Sequence, residues 1–404
     1  MCDLEKTIAS CFEKDSVAVM RKLIYLVHDL SDAAVHRRIE LLERCCFHVI
    51  AIGFTRSGMP AFSCFGCETI CLGRTHDARF FNRILQIFIA IPKLLTAVRR
   101  HRDAKLFICR NLEMVFLGFL IVKVTRLGKS LIYECLDIHR LMLGHGLVST
   151  VFGVIERVLL SGVNVILTSS PAFADFYFLK RYAFRRPVLI IENKSMAHLL
   201  SAEPVWMSKP LKIGWFGILR CRASFDYLKD LAARRPDLLE VTLAGRPFLD
   251  VFPDLSSEVA NAPGVRFLGP YSQDQLANLY RDVDLVWCID FFERGFNSKW
   301  LLPNRLYDCL ARGRMPLALA ETETGGWLRA SGVGVVAGDL DSIESCLEGI
   351  AETRQEVSIT ARRVSITEQD VGNLSSKLNI LQGGFCSRSN ARVTNQCHVD
   401  AGSR

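Results

Sequence analysis

The sequence predicts an α/β fold of two doubly wound layers in tandem, each a parallel sheet flanked by helices. Three observations predict it. Short apolar runs rich in β-branched residues alternate with stretches of helical periodicity along most of the chain. The alternation breaks once, near the middle, in a polar stretch that contains Pro204 and Pro210. The chain has 404 residues, too many for one ordinary domain and suited to two.

The elements follow in order. Residues 22–30, KLIYLVHDL, read as a buried parallel strand, because a strand covered on both faces is a nearly continuous apolar run. Ser31 and Asp32 can cap a helix that carries Ala34, Val35, Ile39 and Leu42 on one side. A second strand spans 47–54, and a long helix spans 79–101. Strands at 105–109, 131–135, 164–169 and 188–192 then alternate with helices at 112–126, 148–160 and 171–181. Residues 194–210 break the pattern as a linker. A second series begins with a strand at 211–216. It continues through strands at 239–244, 265–268, 285–289 and 316–320, with helices at 224–234, 253–261, 272–281, 303–311 and 342–352. The expected organisation is an N-terminal extension (1–20), a first domain (21–194), a linker (195–210), a second domain (211–352), and a C-terminal helix with a disordered tail (353–404). Ligands of such folds bind at the carboxyl ends of the strands, here in a cleft between the domains.

Composition removes several classes. Half of the residues are apolar and about a quarter are charged, unlike a disordered chain. The longest apolar stretches, 84–98 and 114–122, are interrupted or too short to span a bilayer. Residues 1–20 carry Asp3, Glu5, Glu13 and Asp15 where a signal peptide needs an apolar core, so a cytoplasmic location is expected. The 15 cysteines are odd in number and scattered, which fits a reducing compartment. Cys64, Cys67, Cys71 and His76 lie close together, but no second close pair follows, and no metal is expected. No dinucleotide or Walker glycine loop occurs, and no helix-turn-helix or RNA-recognition signature, so nucleic acid is not an expected partner.

Charge is uneven. Residues 1–200 hold 27 Lys/Arg against 17 Asp/Glu, and residues 201–404 hold 23 against 25. The helix at 79–102 is apolar through its middle and basic at both ends. It reads either as a helix lying on an anionic bilayer or as a core helix with basic ends.

Polar residues at strand ends are the candidate site. In the second domain the first strand ends at Gly217, which lets backbone approach an anion, and Arg220 stands at the loop mouth with Arg222 nearby. The segment DFFERGFNSKWLLPNRLYD, residues 290–308, leads from a strand into a helix with Pro303 in its first turn. Asn304, Arg305 and Lys299 suit a diphosphate, Asp308 suits ribose hydroxyls, and Glu293 is a ligand contact or a plain loop carboxylate. A glycine turn at Thr324–Trp327 either offers backbone amides to the same cleft or is a plain turn. In the first domain His28 and Asp29 follow strand one. Arg110, Asn111 and Glu113 follow the strand at 105, and Glu134, Asp137 and His139 lie on or after the strand at 131. Asp137 and His139 are the candidates for moving a proton there. Asp29 has a second reading as a helix cap, and Glu134 as a structural residue.

The run LPNRLYD…ARGRMP resembles a motif variant of the GT-B glycosyltransferases of the family 4-like type, two Rossmann-like domains facing across a cleft. YLVHDLSDAAVHRR (25–38), CRNLE (109–113) and YECLDIHRL (133–141) resemble glucosyltransferases of succinoglycan-type exopolysaccharide biosynthesis. The resemblance covers about residues 20–350. It implies a nucleotide sugar in the C-terminal domain and an acceptor in the N-terminal domain. It further implies transfer of glucose from UDP-glucose to a lipid-linked oligosaccharide, without metal or other cofactor, on the inner face of the cytoplasmic membrane. Acceptor-side residues would be His28, Asp29, Arg110, Asn111 and Glu113; Asp137 or His139 would take the proton that the acceptor hydroxyl loses or contact the acceptor, and Glu293 would contact donor-sugar hydroxyls. Many such enzymes carry a Glu-x7-Glu pair here; this chain has Trp300 and Asp308 instead. A nucleotide-sugar isomerase of the same fold and an inactive scaffold are the rival readings.

Overall fold

A strand with both faces covered belongs in the middle of a sheet, and the first strand occupies that place. The computed structural model describes residues 21–55, 67–74, 80–125, 130–138, 140–144, 146–194, 205–207, 209–294, 297–351, 353–355 and 364–383. The first sheet holds β1 (Arg21–Val27), β2 (Phe47–Thr55), β3 (Glu68–Arg74), β4 (Leu106–Arg110), β5 (Ser130–Cys135), β6 (Val165–Thr168) and β7 (Val188–Ile190). Its order is β3-β2-β1-β4-β5-β6-β7, all parallel. Side chains along β1 alternate between two cores. Leu23, Tyr25 and Val27 meet helix α1 (Ala33–Arg44). Ile24 and Leu26 join the core built by α2 (Phe80–Arg100), α3 (Leu112–Thr125) and α4 (Leu147–Gly162). Helix α2 buries Ile87, Leu94 and Val98 in that core, so the core-helix reading describes one of its faces.

After β8 (Val205–Met207), the second sheet repeats the plan. It holds β9 (Leu211–Leu219), β10 (Leu239–Pro247), β11 (Val265–Phe267), β12 (Leu285–Trp287), β13 (Met315–Leu319) and β14 (Val335–Ala337), in the order β11-β10-β9-β12-β13-β14. One core surrounds it, with Trp215 and Trp287 fully buried; α5 (Arg222–Arg234), α6 (Asn304–Leu310) and α7 (Glu323–Ser331) contribute to it.

Several local expectations change. The Thr324–Trp327 turn is the start of α7, with Thr322 Oγ1 accepting from the Gly325 amide at 3.1 Å. A Cβ at Gly325 would sit 2.1 Å from the Leu319 carbonyl oxygen, so glycine lets the helix pack against the end of β13. Strands β3 and β14 leave little signature in the sequence, because their runs are short and contain glycine or border on it. Inside the expected linker, β8 pairs antiparallel with β15 (Thr353–Gln355). The chain then returns to the first domain: α8 (Glu368–Gly383) buries Val371, Leu374 and Leu378 against the β1–α1 core. The expected extension at 1–20 and the tail beyond 383 lie outside the described residues.

Beneath the first sheet's carboxyl edge lies a buried charge cluster. Glu134 is fully buried; it accepts from Arg38 Nε at 2.6 Å and from the Tyr25 hydroxyl. Arg110, its register partner on β4, lies 3.8 Å away and donates to Tyr25 at 3.1 Å. Burial alone would raise the Glu134 pKa, but the two guanidiniums outweigh it and hold the group below the ordinary carboxylate value. This corrects the reading of Arg110 as an acceptor contact: its partner is a buried carboxylate, and only 4% of its surface is exposed. Glu134 takes its structural reading. Glu134→Ala strips Arg38 of its buried counter-charge, leaves Arg110 with the partly exposed Asp32 at 3.8 Å, and should destabilise the fold by about 3–5 kcal/mol. A lowered midpoint in chemical denaturation is the expected result.

Candidate active site

Both sheets reverse their strand order at one point, and in doubly wound folds the ligand crevice opens there. In the first sheet the point lies between β1 and β4. His28 follows β1 and Asn111 follows β4; their side chains meet at 3.2 Å between Nδ1 and Nδ2. Asn111 holds a left-handed backbone at φ 71°, which asparagine tolerates better than most residues, and its amide donates to the Glu134 carbonyl. Asp29 accepts from the Ser31 amide at 3.0 Å and hydroxyl at 2.6 Å, and is nearly buried. The cap of α1 is Asp32, which accepts from the Ala34 amide, so the cap reading of Asp29 is replaced. Glu113 lies half-buried in the first turn of α3. His139 lies outside the described residues, as do Cys64 and His76.

In the second sheet the point lies between β9 and β12. Gly217 has φ 121°, and its register partner on β10, Gly245, has φ 135°. A Cβ on Gly245 would fall 1.7 Å from the Gly217 carbonyl oxygen, so this pair lets two strand ends run close together. Arg220 Nε and Nη2 both reach Asp290 Oδ2 at 3.2 Å, and its guanidinium lies 5.2 Å from the Phe292 ring centre. Burial works against the Arg220 charge, but Asp290, Asp137 and Glu293 raise its pKa above the ordinary value. Arg222 is engaged elsewhere, with Glu258. Arg305 Nη1 reaches the Phe216 carbonyl at 3.5 Å, beside Gly217. Asn304 opens α6 behind Pro303, which is the cap.

The two halves of the site join through Asn297. Its Nδ2 donates to Asp137 Oδ1, and its Oδ1 accepts from the Ile138 amide at 3.4 Å. Glu293 lies beside this pair. Burial pushes its carboxyl up to about 7, with the Asp137 charge adding to the effect, and Oε2 is buried without a hydrogen-bond partner. A cation, two carboxyls and an amide from both domains therefore converge. A carboxyl that titrates near neutrality can exchange protons at working pH.

Asp308 and its neighbours tie the domains together, whereas Lys299 pairs within the second domain. Asp308 is buried and accepts from Arg37 of α1 at 2.7 Å, with Arg312 at 3.6 Å. Tyr307 donates to Glu192 at 3.0 Å. Lys299 pairs with Glu321 at 3.4 Å; both side chains are about half exposed. Trp300 packs into the first domain's core, stacked on Phe176. Asp290, Asn297, Gly245 and Arg37 were not singled out from sequence. Asp290 carried the signal of a carboxylate just past a strand end, whereas Asn297 finds its partner 160 residues away.

The succinoglycan biosynthesis protein ExoL of Rhizobium meliloti (strain 1021) is 37% identical over 339 residues, 81% of this chain and 84% of ExoL. The chain belongs to the ExoL family. Sucrose-phosphate synthase from Thermosynechococcus elongatus superposes with a TM-score of 0.69 at 13% identity, over 90% of this chain and 99% of that one. The apo lipopolysaccharide outer core galactosyltransferase WaaB gives 0.60 at 12% identity, over 89% and 99%. TarM gives 0.64 at 8% identity, over 91% and 99%. The fold is GT-B. No protein-family model matches the chain.

Glu293 generates a pH prediction. The unfolded carboxyl titrates near 4.5 and the folded one near 7, so between these values the folded state keeps a proton that the unfolded state has lost. Stability from this group therefore falls as pH rises through that window. In thermal melts, Glu293→Gln should gain on the wild type as pH is raised from 4.5 to 7.

Proposed function

We propose that the protein is a glycosyltransferase of exopolysaccharide assembly. It moves a hexose, glucose from UDP-glucose, to a lipid-linked oligosaccharide at the inner face of the cytoplasmic membrane, without a metal. One observation carries the reading: Arg220, Glu293 and Asn297 of one domain meet Asp137 of the other at the carboxyl ends of both sheets. The family relationship to ExoL supports the exopolysaccharide context.

In this reading the nucleotide lies over Gly217 and Gly245, where neither residue has a side chain to obstruct the backbone. Arg220 and Arg305 stabilise the diphosphate as negative charge develops on the leaving oxygen. Asn304 and Lys299 border the diphosphate. Asp308 hydrogen-bonds the ribose, exchanging its contact with Arg37 for the sugar hydroxyls. Glu293 hydrogen-bonds the donor sugar. The acceptor oxygen bonds to the anomeric carbon as the bond to the diphosphate oxygen breaks, and Asp137 receives the acceptor's proton. His28 and Asn111 line the acceptor side.

The test is transfer of labelled glucose from UDP-glucose to lipid-linked acceptor in membrane extract. Asp137→Asn and Arg220→Ala should each lower the rate about 100-fold or more while the fold is retained by circular dichroism. Arg305→Ala should weaken UDP binding by calorimetry. Release of an epimerised sugar nucleotide in place of transfer would support the isomerase instead.

A further inference from the structure

Surface helices of globular domains turn their polar side to water. Helix α4 does the reverse. Leu147, Val151, Val154, Ile155 and Val158 recur at helical spacing and are all exposed, from 41% at Ile155 to 84% at Leu147. Its buried side instead holds Glu156 and Ser149 beside Leu159 and Leu160. Glu156 is fully buried and accepts from the hydroxyls of Tyr177 and Tyr182. The acidic group and its two tyrosine hydroxyl donors lie inside, and the aliphatic side chains face outward.

The apolar surface continues beyond α4. Helix α3 packs against both α4 and α2. Leu85, Phe88 and Ile89 of α2 are more than half exposed, and Phe88 meets Phe116 of α3 edge to face at 6.1 Å. An exposed apolar patch of this extent marks an interaction surface.

Charge selects the occupant. The exposed charged side chains on the described parts of these helices are Lys93, Arg99, Arg100, Lys123 and Arg157. The acidic residues within the three helices are Glu113, half-buried, and Glu156, fully buried. A second copy of the chain would bring this all-cationic surface against itself in a two-fold interface, where like charges meet. An anionic bilayer offers acyl chains to the aliphatic stripe and headgroups to the cations.

We infer that α4, with the exposed end of α2, docks in the headgroup–acyl boundary of an anionic membrane. The inference rests on the proposed lipid-linked acceptor and says where that lipid meets the protein. Ser149 of α4 donates to the Met142 carbonyl at 3.1 Å, and Met142 lies in the short helix Arg140–Leu143 just after Asp137. The docked helix is therefore tied to the segment that follows the base proposed for the reaction, and a membrane-anchored sugar would reach the site along that segment.

The test is flotation of the full chain with vesicles of phosphatidylcholine alone and of phosphatidylcholine mixed with phosphatidylglycerol. The wild type should float with the mixed vesicles, and added salt should release it. Val151→Asp, Val154→Asp and Val158→Asp combined should weaken binding at least about tenfold, with unchanged melting. A second variant, Lys123→Glu with Arg157→Glu, keeps the apolar stripe and should lose the preference for phosphatidylglycerol. Flotation involves no sugar, and transfer to a water-soluble acceptor analogue should persist in both variants, so failure of docking and failure of the transferase reading are separable. The inference is overturned if the wild type floats with neither vesicle, if it binds both equally, or if the triple variant binds as the wild type does. It is also overturned if the stripe instead holds a dimer that the triple variant splits.

Discussion

One carboxamide holds the donor-side loop in register with the acceptor-side floor. Asn297 is 1% exposed, and its two ends serve opposite needs: Nδ2 donates to the Asp137 carboxylate while Oδ1 accepts from the Ile138 amide. An amide side chain can do both at once; a carboxylate or an ammonium cannot. Its neighbours extend the junction. Ser298 Oγ accepts from the Glu293 amide at 3.0 Å, and the Trp300 carbonyl accepts from Ser170 at 2.5 Å. Glu293 is thereby placed next to Asp137, and the proximity of the two carboxyls, together with burial, raises the Glu293 pKa.

The same junction accounts for the departure from the Glu-x7-Glu pair. At the position of the first glutamate the chain places Trp300, whose ring packs against Phe173 and Phe176 of the first domain. At the second it places Asp308, which reaches Arg37 across the cleft. Both positions contribute to joining the domains. A carboxyl beside Asp137 comes instead from Glu293, in the loop after β12.

The basic excess of residues 1–200 divides into three uses. Arg38 and Arg110 hold Glu134 beneath the sheet, and Arg37 spans the cleft. The remainder includes the exposed cations of α2, α3 and α4, which frame an aliphatic surface. A net charge counted from sequence merges these uses, although a buried guanidinium acts on its carboxylate partner and not as a free surface cation.

Local chemistry determined much of this protein. Apolar runs in alternation with helical periods specify two parallel sheets, because only a strand covered on both faces can be apolar at every position. Glycine at Gly217 and polar residues at strand ends, His28 and Asn111 among them, mark the crevice for the same topological reason. The tertiary structure decided the partnerships. Arg110 and Glu134 lie 24 residues apart and Asn297 and Asp137 160, and neither pairing leaves a periodic trace. Which side of α4 faces water was likewise decided by packing. A buried Glu156 needs the hydroxyls of Tyr177 and Tyr182, and a helical period carries no information about where those hydroxyls lie.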